Sequence, residues 1–218
     1  MTKTGEAATP RLNLQDDESI MEALDRHKRP LTIGVIVLAL VISGGWMMRR
    51  SAQIRESRAS AALSVGENAY TTGAMAVAQQ EFAKVATRYA GTSAGTQAAL
   101  LSAQIFFEAG ELDAGMAQLE AILKKTPKHL KSGVLAHQAA GHSLAGKHVE
   151  AATAYQAAAK AAQFKQEVDQ FSMDAARQYV LAGQIEAART IYTEIAGRED
   201  SPNAAEARLR LGELILKS

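Results

Sequence analysis

The side chains best suited to chemistry in this chain are its five histidines, His27, His129, His137, His142 and His148. Their spacing does not build a site. His137 and His142 stand five residues apart, whereas two ligands on one helical face need four, and no Glu-x-x-His accompanies them. Cysteine is absent, which removes disulfides, thiolate zinc sites and cysteine nucleophiles together. The glycines form no phosphate loop, and there is no Gly-x-Ser-x-Gly elbow. The sequence thus predicts no catalytic residue, no metal site, no cofactor and no small-molecule substrate. His142 reads as part of a helical core and His148 as part of a turn. Lys124, Lys125, Lys128 and Lys131 make a local basic patch around Pro127, either a solvated turn or a contact for anionic lipid heads. With a formal net charge of +1, no global field recruits nucleic acid.

The elements that must position these side chains are helices. The composition is rich in Ala, Glu, Gln, Lys and Leu, with 4 Pro and 5% aromatic residues, which favours helix. One pattern recurs four times: a Gly, a small residue five positions on, and a large apolar or aromatic residue four further. The copies are Gly73/Ala78/Phe82, Gly110/Gly115/Leu119, Gly146/Ala151/Tyr155 and Gly183/Ala188/Tyr192, with successive glycines 37, 36 and 37 residues apart. The Gly ends one helix in a left-handed turn. The small residue lies where two antiparallel helices touch, and the large one fills the groove beside it. Such a pair cannot bury its apolar face alone and must stack on its neighbours.

This unit resembles the tetratricopeptide repeat, slightly lengthened. The small residue of that pattern's first helix matches at Gly66, Ala103, Ala139 and Ala176. The bulky residue one turn on matches at Phe106 and Tyr179 and departs at Ala69 and His142. The closing proline matches at Pro127, with Pro202 slightly late. The predicted repeats run 59–92, 96–129, 132–165 and 169–202. Residues 203–217 then form a capping helix, with Leu209, Leu211, Gly212 and Ile215 inward and Arg208, Arg210 and Glu213 toward water. The resemblance implies a concave, partner-binding surface lined by the first helices. It would present Leu63, Glu67 and Tyr70, then Gln97, Leu100, Gln104 and Phe107, then Ala136 and Ala140, then Gln170, Met173 and Arg177. This mixture of apolar and amide groups suits an extended or helical peptide. Repeats that clamp a C-terminal carboxylate use Lys, Asn and Arg on this surface, and Leu63 and Glu67 do not supply that clamp.

Ahead of the repeats, Leu31–Met48 is 18 residues without charge, just long enough to cross a bilayer as one helix. It exceeds a signal-peptide core and ends in Trp46-Met47-Met48-Arg49-Arg50 without Ala-x-Ala, so it reads as an uncleaved anchor. Leu31 opens the span, Trp46 stands where an interfacial aromatic belongs, and Gly44-Gly45 allows close approach of another membrane helix. Basic residues flank both ends, so charge alone does not orient it. Residues 1–30 read as a leader, with a polar start and a short amphipathic helix over Asp16–His27. Residues 49–60 read as a helical connector leading into a repeat domain over 59–218. The fold class is therefore all-α: a single N-terminal transmembrane helix, then an α-solenoid of about four hairpins and a cap.

The order of leader, Arg-His-Lys-Arg-Pro lead-in, span ending in Gly-Trp, and repeat domain resembles the bacterial ancillary SecYEG translocon subunit family, the YfgM-like inner-membrane proteins. That resemblance implies a cytoplasmic N-terminus and a periplasmic repeat domain. The implied partners are Sec translocon subunits, periplasmic chaperones or translocating chains, besides membrane lipid. A scaffold for cell-envelope assembly or division is the alternative with the same architecture.

Overall fold

The structure, a computed structural model, describes residues 28–216. The expected leader helix over Asp16–His27 lies outside the described residues. Among those described, every regular element is a helix. In chain order they are α1 (Lys28–Thr71), α2 (Met75–Arg88), α3 (Ser93–Glu108), α4 (Leu112–Leu123), a short 3-10 turn (Lys128–Leu130), α5 (Lys131–Leu144), α6 (His148–Ala161), α7 (Lys165–Leu181), α8 (Ile185–Ala196) and α9 (Ala204–Leu216). The chain divides into two compact units, Met1–Ala52 and Gln53–Ser218.

In the first unit, α1 exposes Ile33, Ile36, Val37, Leu38, Leu40, Val41 and Ile42. The stretch has a mean hydropathy of 1.7 with none of it buried, and the helix is long and apolar enough to cross a membrane. The Ser43 hydroxyl donates to the Ala39 carbonyl at 2.7 Å, which satisfies it inside the helix. The Arg50 guanidinium lies 5.2 Å from the centre of the Trp46 ring, a cation–π contact at the polar end of the apolar run.

In the second unit, consecutive helices pack as hairpins, and α3 also touches α5, so the first helices of the second and third hairpins meet. Each hairpin closes in the same way. Gly73, Gly110, Gly146 and Gly183 take φ of 79°, 79°, 71° and 74°. The next residue's N–H reaches back five residues to a helix carbonyl, as in Ala74 to Ala69 at 2.9 Å and Gln184 to Tyr179 at 2.8 Å. This is a Schellman closure, which a side chain at the left-handed position would strain. The expected contact positions hold too. Ala78, Gly115, Ala151 and Ala188 are buried, Phe82, Leu119 and Tyr192 are fully enclosed, and Tyr155 is half-buried.

The start of α3 is capped twice. Thr92 accepts from the Gly95 N–H at 2.9 Å, and the Glu56 carboxylate, arriving from α1, accepts from Ser93 and Ala94 N–H at 2.8 Å each. A carboxylate on a helix N-terminus meets both orphan donors and the positive end of the dipole. Glu56→Ala should therefore cost about 1–2 kcal/mol in urea unfolding of the repeat domain. Loss of the two carboxylate contacts on the α3 N-terminus, with the Thr92 cap still in place, is the expected cause.

The capping helix corrects the sequence reading. Leu209 and Ile215 are 62% and 66% exposed, and Gly212 is exposed as well. The inward face is Ala204, Ala207 and Leu214, with Leu211 packed alongside. The spacing from 204 through 207 and 211 to 214 is that of one helical stripe. Leu209 stands about 200° around the helix from Ala207, which puts it on the opposite face.

Candidate protein-binding face

The residues expected to meet a partner separate into two groups. Leu63 and Met173 are only 5% and 1% exposed and belong to the two apolar cores. Neither offers a side chain to a partner, which corrects that expectation. Tyr70, Leu100 and Phe107 are partly buried and pack against the first core. Tyr70 lies against the Phe82 ring with centroids 6.5 Å apart. The Phe107 ring occupies a slot left by two glycines: a Cβ on Gly115 would stand 2.4 Å from it, and one on Gly141 2.8 Å. Phe107 is thus a wedge between α4 and α5.

The polar members remain accessible. Gln97, Gln104 and Gln170 are exposed, and Glu67 and Arg177 half-exposed; Ala136 and Ala140 are half-buried between them. Gln97 donates to Glu67 at 3.1 Å across the first two hairpins, and Gln104 donates to Glu108 at 2.8 Å. Gln170 reaches Asp174 at 3.5 Å. Arg177 pairs with Asp174 and, at 3.3 Å, with Glu206 of α9. Arg210 continues the network to Glu206 at 3.5 Å and Glu213 at 3.0 Å. Gly44 and Gly45, expected in the anchor, face open space, with nothing within 4 Å of an added Cβ. Leu31 lies in α1, its side chain outside the described set.

Residues 25–214 match the family described as tetratricopeptide repeat-like domain. The chain belongs to that family. Among solved structures, this tetratricopeptide repeat-like chain is similar to nearly identical TPR-like repeats from Podosopora anserina, described as a kinesin light chain. The TM-score is 0.57 at 14% identity, over 74% of this chain and 87% of that one. A singly substituted form of the same repeats gives 0.56 at 14% identity, over 74% and 86%. At that identity the likeness is one of fold. No curated protein matches the chain.

The sequence reading missed a cleft that α9 completes beside Arg177. Arg177, Val180, Leu181, Arg210 and Glu213, with Tyr192 and Leu214, surround a cleft of about 260 Å³. The Glu206, Arg210 and Glu213 spacing on one helix was the available signal, since i,i+4 and i,i+3 charges pair on a surface. The histidines make local contacts: His137 Nδ1 donates to the Gly133 carbonyl and His148 Nδ1 to Gln178 Oε1, both at 2.9 Å. No cluster of His and carboxylate groups among the described residues is arranged to hold a metal.

Burial raises the Tyr192 hydroxyl above its ordinary 10.0, against the pull of Arg177 and Arg210. Burial followed by the Asp174 charge raises Tyr155 as well. The folded state holds these protons more tightly than the unfolded chain. The stability they contribute is therefore fully present below about pH 10 and lost as pH rises through the raised values. Tyr192→Phe should flatten the fall in unfolding midpoint above about pH 10 and leave neutral pH nearly unchanged.

Proposed function

We propose that the protein is a non-catalytic, membrane-anchored adaptor that binds protein segments on the face of its first helices. The observation that carries this reading is the joining of an exposed 1.7-hydropathy helix to a stacked hairpin domain. Leaving the large apolar side chains of α1 in water would cost about 1.5–3 kcal/mol each, and a bilayer relieves that cost. On this reading 1–30 is a leader, 31–48 the span, 49–60 a connector and 59–218 the binding domain. The exposed Gln97 and Gln104, with Glu67 and the Arg177 network, then offer hydrogen-bonding groups to a peptide beside the apolar shoulders of Tyr70, Leu100 and Phe107.

The order of segments supports the finer proposal: a single-pass inner-membrane protein with a cytoplasmic N-terminus and a periplasmic repeat domain. Its partners are Sec translocon subunits, periplasmic chaperones or translocating chains. Tethering beside the exit site raises the effective concentration of such partners without new contacts. Photocrosslinkers at Gln97 and Gln104 in living cells should capture Sec subunits or exported chains. Capture of envelope-assembly or division proteins instead would favour a scaffold. A reporter active only in the periplasm, fused after Ser218, should be active; silence would overturn the proposed orientation.

A further inference from the structure

We propose that the edge of the repeat domain formed by its inter-hairpin turns docks on an anionic lipid surface. The proposal rests on the membrane-anchored reading above. The turns form one continuous edge. Arg55 of α1 donates to the Ala90 carbonyl at 3.2 Å in the first turn. A Cβ on Gly91 in that turn would stand 3.4 Å from the Lys125 carbonyl oxygen of the second. Lys128 and Lys131 of the second share a groove with Lys160 and Gln163 of the third.

This edge is basic in a way the net charge hides. Lys124, Lys125, Lys128 and Lys160 are exposed, and among the described residues none of them lies within ion-pair distance of a carboxylate. Arg88 is exposed at the first turn and Arg55 and Arg58 on the neighbouring stretch of α1. The Glu56 carboxylate nearby is taken up by the α3 N-terminus. The fourth turn ends the stripe, where Asp200 pairs with Lys165. The opposite edge, made by the glycine turns, carries Glu108, Glu111, Asp113, Glu150 and Glu186 against Lys147 and against Arg189, which pairs with Glu186 at 3.6 Å. The domain is therefore electrically polar, with its cations at the edge where the chain enters it.

Chain connectivity allows that edge to reach lipid. The apolar run ends at Met48 and the second unit begins at Gln53, a length of chain that spans at most about 18 Å. Surface potential decays over about 8 Å at physiological salt, so docking requires the basic edge itself to reach the headgroups, which so short a connection permits. Each cation brought to such a surface strengthens the association by about fivefold. Lysines on flexible stems suit a diffuse layer of headgroups, which requires charge density but no fixed geometry.

The test uses the full chain in nanodiscs of zwitterionic lipid alone or with about 30% phosphatidylglycerol. Because the chain lacks cysteine, His129→Cys places a single fluorophore on the basic edge and Ala145→Cys one on the acidic edge. Headgroup-attached quencher should dim the first probe at least about threefold more in the anionic discs and leave the second unchanged. Half-molar salt, or joint Lys124→Glu, Lys125→Glu, Lys128→Glu and Lys160→Glu, should abolish the difference. Equal quenching in both discs, or a difference that survives charge reversal, overturns the docking while leaving the anchor intact. Crosslinking of the edge to protein rather than lipid does the same. Failure of the chain to enter either disc overturns the anchored reading itself, and the docking with it.

Discussion

Arg198→Met is expected to destabilise the repeat domain by about 3–5 kcal/mol, a large part of what a domain of this size has. Asp169, near the start of α7, has a side chain only 1% exposed. One of its oxygens accepts from Arg198, in the loop between α8 and α9, and the other has no hydrogen-bond partner. Arg198 also pairs with Glu194 on α8. Burial works against its charge, but the Glu194 hydrogen bond and the Asp169 charge raise its pKa, so it stays cationic. Removing the guanidinium leaves a buried carboxylate without its countercharge. Asp169→Leu should cost less, because Arg198 is 26% exposed and keeps Glu194. The double variant Asp169→Leu/Arg198→Met should recover most of the loss, since a well-packed apolar pair commonly equals a buried ion pair. Urea unfolding followed by helical circular dichroism measures all three. A double variant as unstable as Arg198→Met alone would mean that packing in the loop, and not the orphaned charge, sets the cost.

How much of this could be read from residues alone depended on whether the physics was local. The four turn glycines were legible because a left-handed φ admits little else, and each recurs at a fixed offset from a small and a large residue. The hairpins and their order followed. The burial of Leu63 and Met173 was not legible. In a helix with apolar residues on more than one face, a shift of one position, about 100°, exchanges core for surface without changing the apparent pattern. The same ambiguity misplaced Leu209 and Ile215 on α9. Phe107 looked like a partner-facing aromatic because the holes that receive it are absences, at Gly115 and Gly141 on two other helices. The Asp169–Arg198 pair joins residues 29 apart, a separation at which opposite charges carry no pairing signal. The basic edge was seen only as one turn around Pro127. Its continuation through Arg88 and Lys160 needed the stacking of hairpins to bring the turns together.

Gly66→Ala and Phe82→Ala should each destabilise the first hairpin, yet less together than their sum. The Phe82 ring is fully buried, and a Cβ on Gly66 would stand 2.6 Å from it. In the native background that methyl has nowhere to go. The ring is held by Tyr70 on one side and by the alanine-rich core around it. The overpacking should cost about 1–3 kcal/mol. Phe82→Ala opens a cavity in a core that relaxes only partly, at about 3–5 kcal/mol. With the ring gone, the Gly66 methyl occupies vacated space and gains helix propensity over glycine, worth about 1 kcal/mol on its own. The change that harms the native domain should thus stabilise the Phe82→Ala variant, giving a coupling of about 2 kcal/mol in a double-mutant cycle. Simple additivity would show that the two helices part to admit the methyl. The absence of a side chain at Gly66 would then be tolerated and not required, and the close approach of α1 to α2 would depend on Ala78 alone.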